Sequence, residues 1–162
     1  MNRLRLLRRL ALLLFICPLP ALADKDTFYA VGAAQVDITP DYAIWLNGYA
    51  ARQNESEGVD QRIYAQALAI GRGKNNLALL LTVDNVGVPA AVREEVAARL
   101  ARKAGLRSER FVLCSTHAHT APMLSNSIPN IFGRDLPPAE QERINRYTRE
   151  LINKLEQAAL AA

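Results

Sequence analysis

The stretch from Leu77 to Pro122, LALLLTVDNVGVPAAVREEVAARLARKAGLRSERFVLCSTHAHTAP, decides the fold. It opens on an apolar run, Leu77 to Val83, of strand length. Pro89 then suits a first helical turn, Val92, Val96, Leu100 and Ala104 recur at helical spacing, and Gly105 is placed to end the helix. Phe111 to Ser115 is a second apolar run, which predicts another buried strand with Cys114 as a small core residue. Strand, helix and strand in this order predict a right-handed βαβ unit with parallel strands. Asp84 follows the first strand, and His117 and His119 follow the second. Parallel neighbours bring both ends to one edge of the sheet, where open α/β folds bind ligands.

Working outward, Tyr64 to Ile70 and Leu77 to Val83 flank GRGKNN (71–76), a glycine- and asparagine-rich turn that predicts a hairpin. Residues 29–39 alternate loosely and stop at Pro40, as a strand does, and Ile44 to Tyr49 is expected to form a further short strand. The polar segment 51–62 is a long loop, and a compact domain seldom keeps one without a use. After the histidines, residues 122–138 are rich in proline and asparagine and are expected to wall a pocket. From Pro137 onward, Ile144, Tyr147, Leu151, Leu155 and Ala158 form one apolar face of a long helix. The fold class is α/β, with a mixed sheet containing the parallel βαβ unit and a long C-terminal amphipathic helix.

The first 23 residues stand apart. Arg3, Arg5, Arg8 and Arg9 precede an apolar run, then Pro18, Pro20 and the Ala21-Leu22-Ala23 pattern that signal peptidases read. This is the layout of a secretory signal, so residues 24–162 are expected as the mature portion, secreted or periplasmic. The apolar run falls short of the roughly 20 residues a membrane span requires, and no transmembrane segment is expected after signal removal. Four of the 20 basic residues and none of the 16 acids lie in the signal, so the remainder carries 16 of each. The pI near 9.3 therefore belongs to the signal and argues for no nucleic-acid partner. Beyond the signal Cys114 is the single cysteine, which excludes an intrachain disulfide. Stability has to come from packing.

The sequence has two histidines in all, one residue apart. In an extended segment such a pair points to one side with Cα atoms roughly 6–7 Å apart, and the two imidazoles can converge on one ion. Zinc suits nitrogen ligands better than magnesium or calcium does. A catalytic zinc takes three protein ligands, and Asp84 is one candidate for the third. A serine triad has no G-x-S-x-G elbow to stand on, and neither a G-x-G-x-x-G nor a P-loop pattern occurs.

VGAAQVDITP (31–40), LNGYAAR (46–52), QRIYAQALAI (61–70), LLTVDNVG (80–87) and STHAHTAP (115–122) together resemble, in order, the beginning of neutral/alkaline, non-lysosomal ceramidases. The resemblance covers about residues 30–124. It implies a zinc-dependent amidase that splits N-acylsphingosine into sphingosine and fatty acid, here as the N-terminal, incomplete portion of a larger catalytic domain. It also implies His117 as a zinc ligand and His119 as an active-site residue touching the reacting group, with the remaining ligands and the attacking serine later in the chain. Asp84, Tyr49 and Arg52 are candidates for supporting or substrate contacts. Family members tend to carry Gly-Pro-Gly-Gly where this chain has Ala121-Pro122-Met123-Leu124, which widens the expected substrates to related N-acyl amides or esters.

Two alternatives remain at this point. One is a non-catalytic secreted domain that kept the scaffold. The other is a different metallohydrolase that completes its shell with Asp84 and an acid from the 122–136 loop. In the reading as an N-terminal portion of a larger enzyme, the apolar face of the last helix is expected to lack a covering layer and to favour association. Exported protein should begin at Asp24 on N-terminal sequencing; material beginning at Met1 would remove the signal assignment.

Overall fold

The computed structural model describes residues 28–73 and 76–162 of the chain, so the signal assignment lies outside the described residues. Four strands, β1 (Ala30–Asp37), β2 (Tyr64–Gly71), β3 (Leu77–Val83) and β4 (Phe111–Ser115), form one sheet in the order β1-β2-β3-β4. The first two pairings are antiparallel and β3 pairs β4 in parallel, so the sheet is mixed as the sequence predicts. Helix α1 (Ala90–Ala104) and a 3-10 turn (Ser108–Arg110) make the crossover from β3 to β4, and α2 (Pro138–Ala161) closes the structure.

Strand alternation explains the layering. Ala65, Ala67 and Ala69 of β2 and Leu79, Leu81 and Val83 of β3 are buried, while Gln66, Leu68, Ile70 and Leu80 face the other way. The small alanines leave room for the large side chains of α2, which lies across β1, β2 and β3 and packs along α1. Ile144, Tyr147, Leu151, Leu155 and Ala158 of α2 all enter the core, as do Val92, Val96, Ala97 and Leu100 of α1. Each fully buried leucine contributes roughly 1.5–3 kcal/mol by leaving water. Gly105 ends α1 in the left-handed region (φ 65°), its N–H bonding to Ala101 O, and Leu106 turns back into the core.

Polar bonds fasten the irregular segment 38–56 to α2. Tyr147 donates to Ile38 O (3.0 Å), Trp45 Nε1 to Glu140 (2.8 Å) and Tyr42 to Glu150 (2.7 Å). Arg143 grips Glu55 with two nitrogens, at 2.8 and 2.5 Å.

Four expectations need correction. Ile44 to Tyr49 does not form a strand: it makes one bridge, Leu46 to Pro122, flanked by Asn47 N–H to Ala121 O (2.9 Å) and Met123 N–H to Trp45 O (2.8 Å). Pro122 has no N–H to extend a ladder, and Gly48 at φ 94° turns the chain away. Cys114 is exposed rather than in the core, because it lies in register with Thr82 on the open face of the sheet, opposite to the face that buries Phe111. Ala104 ends α1 exposed, and the buried stripe stops at Leu100. The apolar face of α2 is covered within the chain, so it offers no association patch. Among the described residues nothing covers the opposite face of the sheet, where Val31, Leu68, Ile70, Leu80 and Val112 are exposed.

Asp37 at the end of β1 accepts from the Thr39 N–H (2.8 Å) and pairs with Arg62. Burial pushes its pKa up, but the Thr39 bonds and the Arg62 guanidinium outweigh that and hold the carboxyl at about 2. Its stabilisation is present above the unfolded value near 3.9 and is lost as pH falls through 2. Asp37→Asn should lower the urea midpoint at pH 7 by the equivalent of about 1 kcal/mol, and the difference from wild type should close by about pH 2. Leu81→Ala, in the core, should cost about 2–5 kcal/mol. Val112→Ala, on the open face, should stay within about 0.5 kcal/mol in the same assay.

Candidate functional site

Parallel pairing sets Val83 opposite Ser115, and the Thr116 N–H continues the ladder to Val83 O (3.0 Å). The segments Asp84–Val86 and Thr116–His119 therefore leave the sheet side by side. Asp84 spends both carboxylate oxygens on this junction: Oδ2 accepts from Tyr64 N–H (2.9 Å) and Oδ1 from the Thr116 hydroxyl (3.1 Å). Asn85 is fully buried; its O accepts from Ala118 N–H (3.1 Å) and its Nδ2 donates to Pro122 O (2.9 Å). Val86 then presents its carbonyl to the first histidine.

His117 does not continue the strand. Its φ of 64° puts it in the left-handed region, uncommon for a residue with a side chain and a recurrent form of strain at functional sites. The extended i, i+2 geometry expected for the pair is thus replaced by a turn, yet the rings still converge. His117 Nδ1 meets Val86 O at 2.9 Å, His119 Nδ1 meets Gly48 O at 3.1 Å, and the two Nε2 atoms lie 3.1 Å apart. A carbonyl oxygen only accepts, so each Nδ1 carries its ring's proton when it bonds there. In two neutral rings both Nε2 lone pairs then face each other across 3.1 Å. That arrangement is repulsive unless a cation, a proton or a metal ion, stands between them.

Tyr49 and Arg52 join this site and Asp84 borders it. The Tyr49 ring packs at 5.0 Å from His119, and Arg52 Nη2 donates to His119 O (3.0 Å) while its guanidinium lies 5.3 Å from the Tyr49 ring centre. Asp84, engaged as described, does not reach the histidines as a ligand: among the described residues no third His, Cys, Asp or Glu gathers with them. The Ser115 hydroxyl, two residues before His117, turns toward Val86 O (3.4 Å). Beside Arg52 opens a cleft of about 550 Å³ lined by Leu46, Arg52, Glu55, Glu57 and Asp60. The 51–62 loop walls it, not the 122–138 loop, whose Ala121, Met123 and Leu124 flank sinks into the core.

Sequence reading missed the groups that orient the rings, because they are backbone carbonyls. The available signal was Asn47-Gly48 before an aromatic residue, a turn dipeptide within what otherwise reads as a strand. Among the described residues no helix is long and apolar enough to cross a membrane.

Comparison with known proteins identifies the family and the fold. The family described as neutral/alkaline non-lysosomal ceramidase, N-terminal, matches residues 29–132, which include both histidines and their carbonyl partners. Among curated protein sequences nothing matches. A solved ceramidase complexed with C2 superposes with a TM-score of 0.68 at 20% identity, over 83% of this chain and 21% of that one. The neutral ceramidase from Pseudomonas aeruginosa gives a TM-score of 0.61 at 22% identity, over 80% of this chain and 21% of its own. The chain thus spans about a fifth of the length of these structures and shares the fold of that part. With the family matched across most of the described residues, this chain belongs to the neutral/alkaline non-lysosomal ceramidases, in their N-terminal region.

Proposed function

We propose that the chain supplies the N-terminal portion of a secreted or periplasmic zinc-dependent hydrolase that cleaves the amide bond of an N-acyl lipid of the ceramide type. One observation carries the reading: two imidazoles, each held through Nδ1 by a backbone carbonyl, aim their Nε2 atoms at one point 3.1 Å across. Zinc takes imidazole nitrogen as a ligand, so His117 Nε2 is suited to hold the ion while His119 Nε2 faces the same point. Fixing the outer nitrogen of a metal-binding histidine on a carbonyl is also the usual way such rings are oriented.

In this reading His117 holds the metal and His119 faces the same point to touch the reacting group. Bound zinc would polarise the amide carbonyl and lower the pKa of a coordinated water. Tyr49 packs on the His119 ring and Arg52 fixes its backbone, so both keep Nε2 aimed at the reacting position. Asp84 acts one step further out, by holding Thr116 immediately before His117. Glu55, Glu57 and Asp60 in the cleft beside Arg52 disfavour a polyanionic substrate.

A site with two imidazoles is short of the three protein ligands that a catalytic zinc requires. The chain alone should therefore bind zinc weakly and show no turnover of N-acylsphingosine. Zinc content measured after dialysis, in the chain joined to the remainder of a ceramidase-length polypeptide, should be lost in His117→Ala. His119→Ala should keep most of the zinc and lose turnover. Equal zinc in wild type and His117→Ala, or chelator-sensitive turnover by residues 24–162 alone, would overturn this division of roles.

A further inference from the structure

We infer that Gly48 is a positioning residue for His119: the space left by its missing side chain seats the imidazole, and its carbonyl sets which ring nitrogen carries the proton. A Cβ at position 48 would stand 2.6 Å from both Cγ and Nδ1 of His119 and 2.8 Å from its Cβ. Carbon atoms do not approach so closely, and the obstructing atoms belong to a ring with no far end to swing away. Position 48 also has φ 94°, a conformation that glycine adopts without penalty. The same residue offers the carbonyl that accepts from His119 Nδ1 at 3.1 Å. Space and tautomer therefore come from one backbone unit.

Gly48 is itself held from several sides. Asn47, wholly buried, bonds through its backbone N–H to Ala121 O (2.9 Å) and through Nδ2 to the Ser127 hydroxyl (3.2 Å). Its Oδ1 accepts from the Gly48 N–H (2.8 Å). Because Ala121 lies two residues past His119, the bond from Asn47 joins the seat to the segment bearing the ring. Tyr49 closes the site with its ring at 5.0 Å from the imidazole. His119 is left with one comfortable orientation, with Nε2 toward His117 Nε2.

The inference rests on the proposed function only for the purpose of the aim; the seating itself is independent of any metal. It is tested in the full chain carrying ¹⁵N-labelled histidine. Long-range ¹H–¹⁵N NMR correlations at neutral pH should show a proton on Nδ1 of both rings in wild type, as the two carbonyl bonds require. Gly48→Ala should move His119 to the Nε2–H form that free imidazole favours and leave His117 unchanged. Gly58→Ala, where a Cβ meets nothing within 4 Å, should leave both rings unchanged. An unaltered His119 signature in Gly48→Ala would overturn the inference.

Urea midpoints supply a second measurement. Gly48→Ala should lower the midpoint at least twice as much in wild type as in His119→Ala, because removing the ring removes the obstruction. Equal losses in the two backgrounds would mean that Gly48 serves only its own backbone, and would also overturn the inference. Should Gly48→Ala fail to fold, the double variant Gly48→Ala/His119→Ala should fold, and failure of both would count against the seat. In the joined polypeptide, Gly48→Ala should retain zinc as His119→Ala does, unlike His117→Ala. Absence of zinc from the wild type would sink the metal reading while the NMR and urea results still decide the role of Gly48.

Discussion

The parallel register that sets Val83 against Ser115 is the constraint on which the site depends. It makes two loops leave the sheet abreast, so that each residue of one finds a partner in the other: Asp84 with Thr116, Asn85 with Ala118, Val86 with His117. A slip by one residue would turn Val83 and Leu81 out of the core and break this ladder of loop contacts at once. The register is itself enforced from below, where α1 and α2 pack Leu79, Leu81 and Phe111 into one apolar cluster. Core packing thus decides where two ring nitrogens meet.

The orienting groups are neutral. Val86 and Gly48 act through carbonyls, and Asn47 and Asn85 anchor the loops from fully buried positions. A carbonyl fixes the proton of a histidine without adding charge to the site. The buried amides are effective anchors because leaving either one unsatisfied would cost about 1–3 kcal/mol. The Asp84 carboxylate is withheld from the rings by its two bonds to Tyr64 and Thr116.

Much of this fold was legible in the sequence, for identifiable reasons. The hairpin before β3, the crossover helix with Pro89 and Gly105 at its ends, and the stripe from Ile144 to Ala158 follow from periods of 2 and 3.6 and from backbone preferences of single residues. Those signals are local. The exposure of Cys114 and the edge position of β4 depend on strand order and on which face the helices cover, neither of which a single strand encodes. The segment Ile44 to Tyr49 has strand composition, and only its partner, a turn containing Pro122, prevents a ladder. The two histidines were identifiable by rarity and place and their convergence was expected, but not the route to it, which is a left-handed residue at His117 and carbonyls distant in sequence.

The uncovered face of the sheet has a consequence for handling the protein. Ala33, Leu68, Leu80 and Val112 stand in register as one apolar row, with Gln35, Gln66, Thr82 and Cys114 beside it. Neither row contains a charge. The chain has 20 basic against 16 acidic groups, a small net charge, so little long-range repulsion opposes the approach of two such faces. Attraction between apolar surfaces strengthens on warming and in sulfate, whereas charge repulsion would be weakened only by screening. Colloidal behaviour is therefore governed by temperature and by the salting-out strength of the buffer, and cold, low-sulfate conditions keep the chain dispersed.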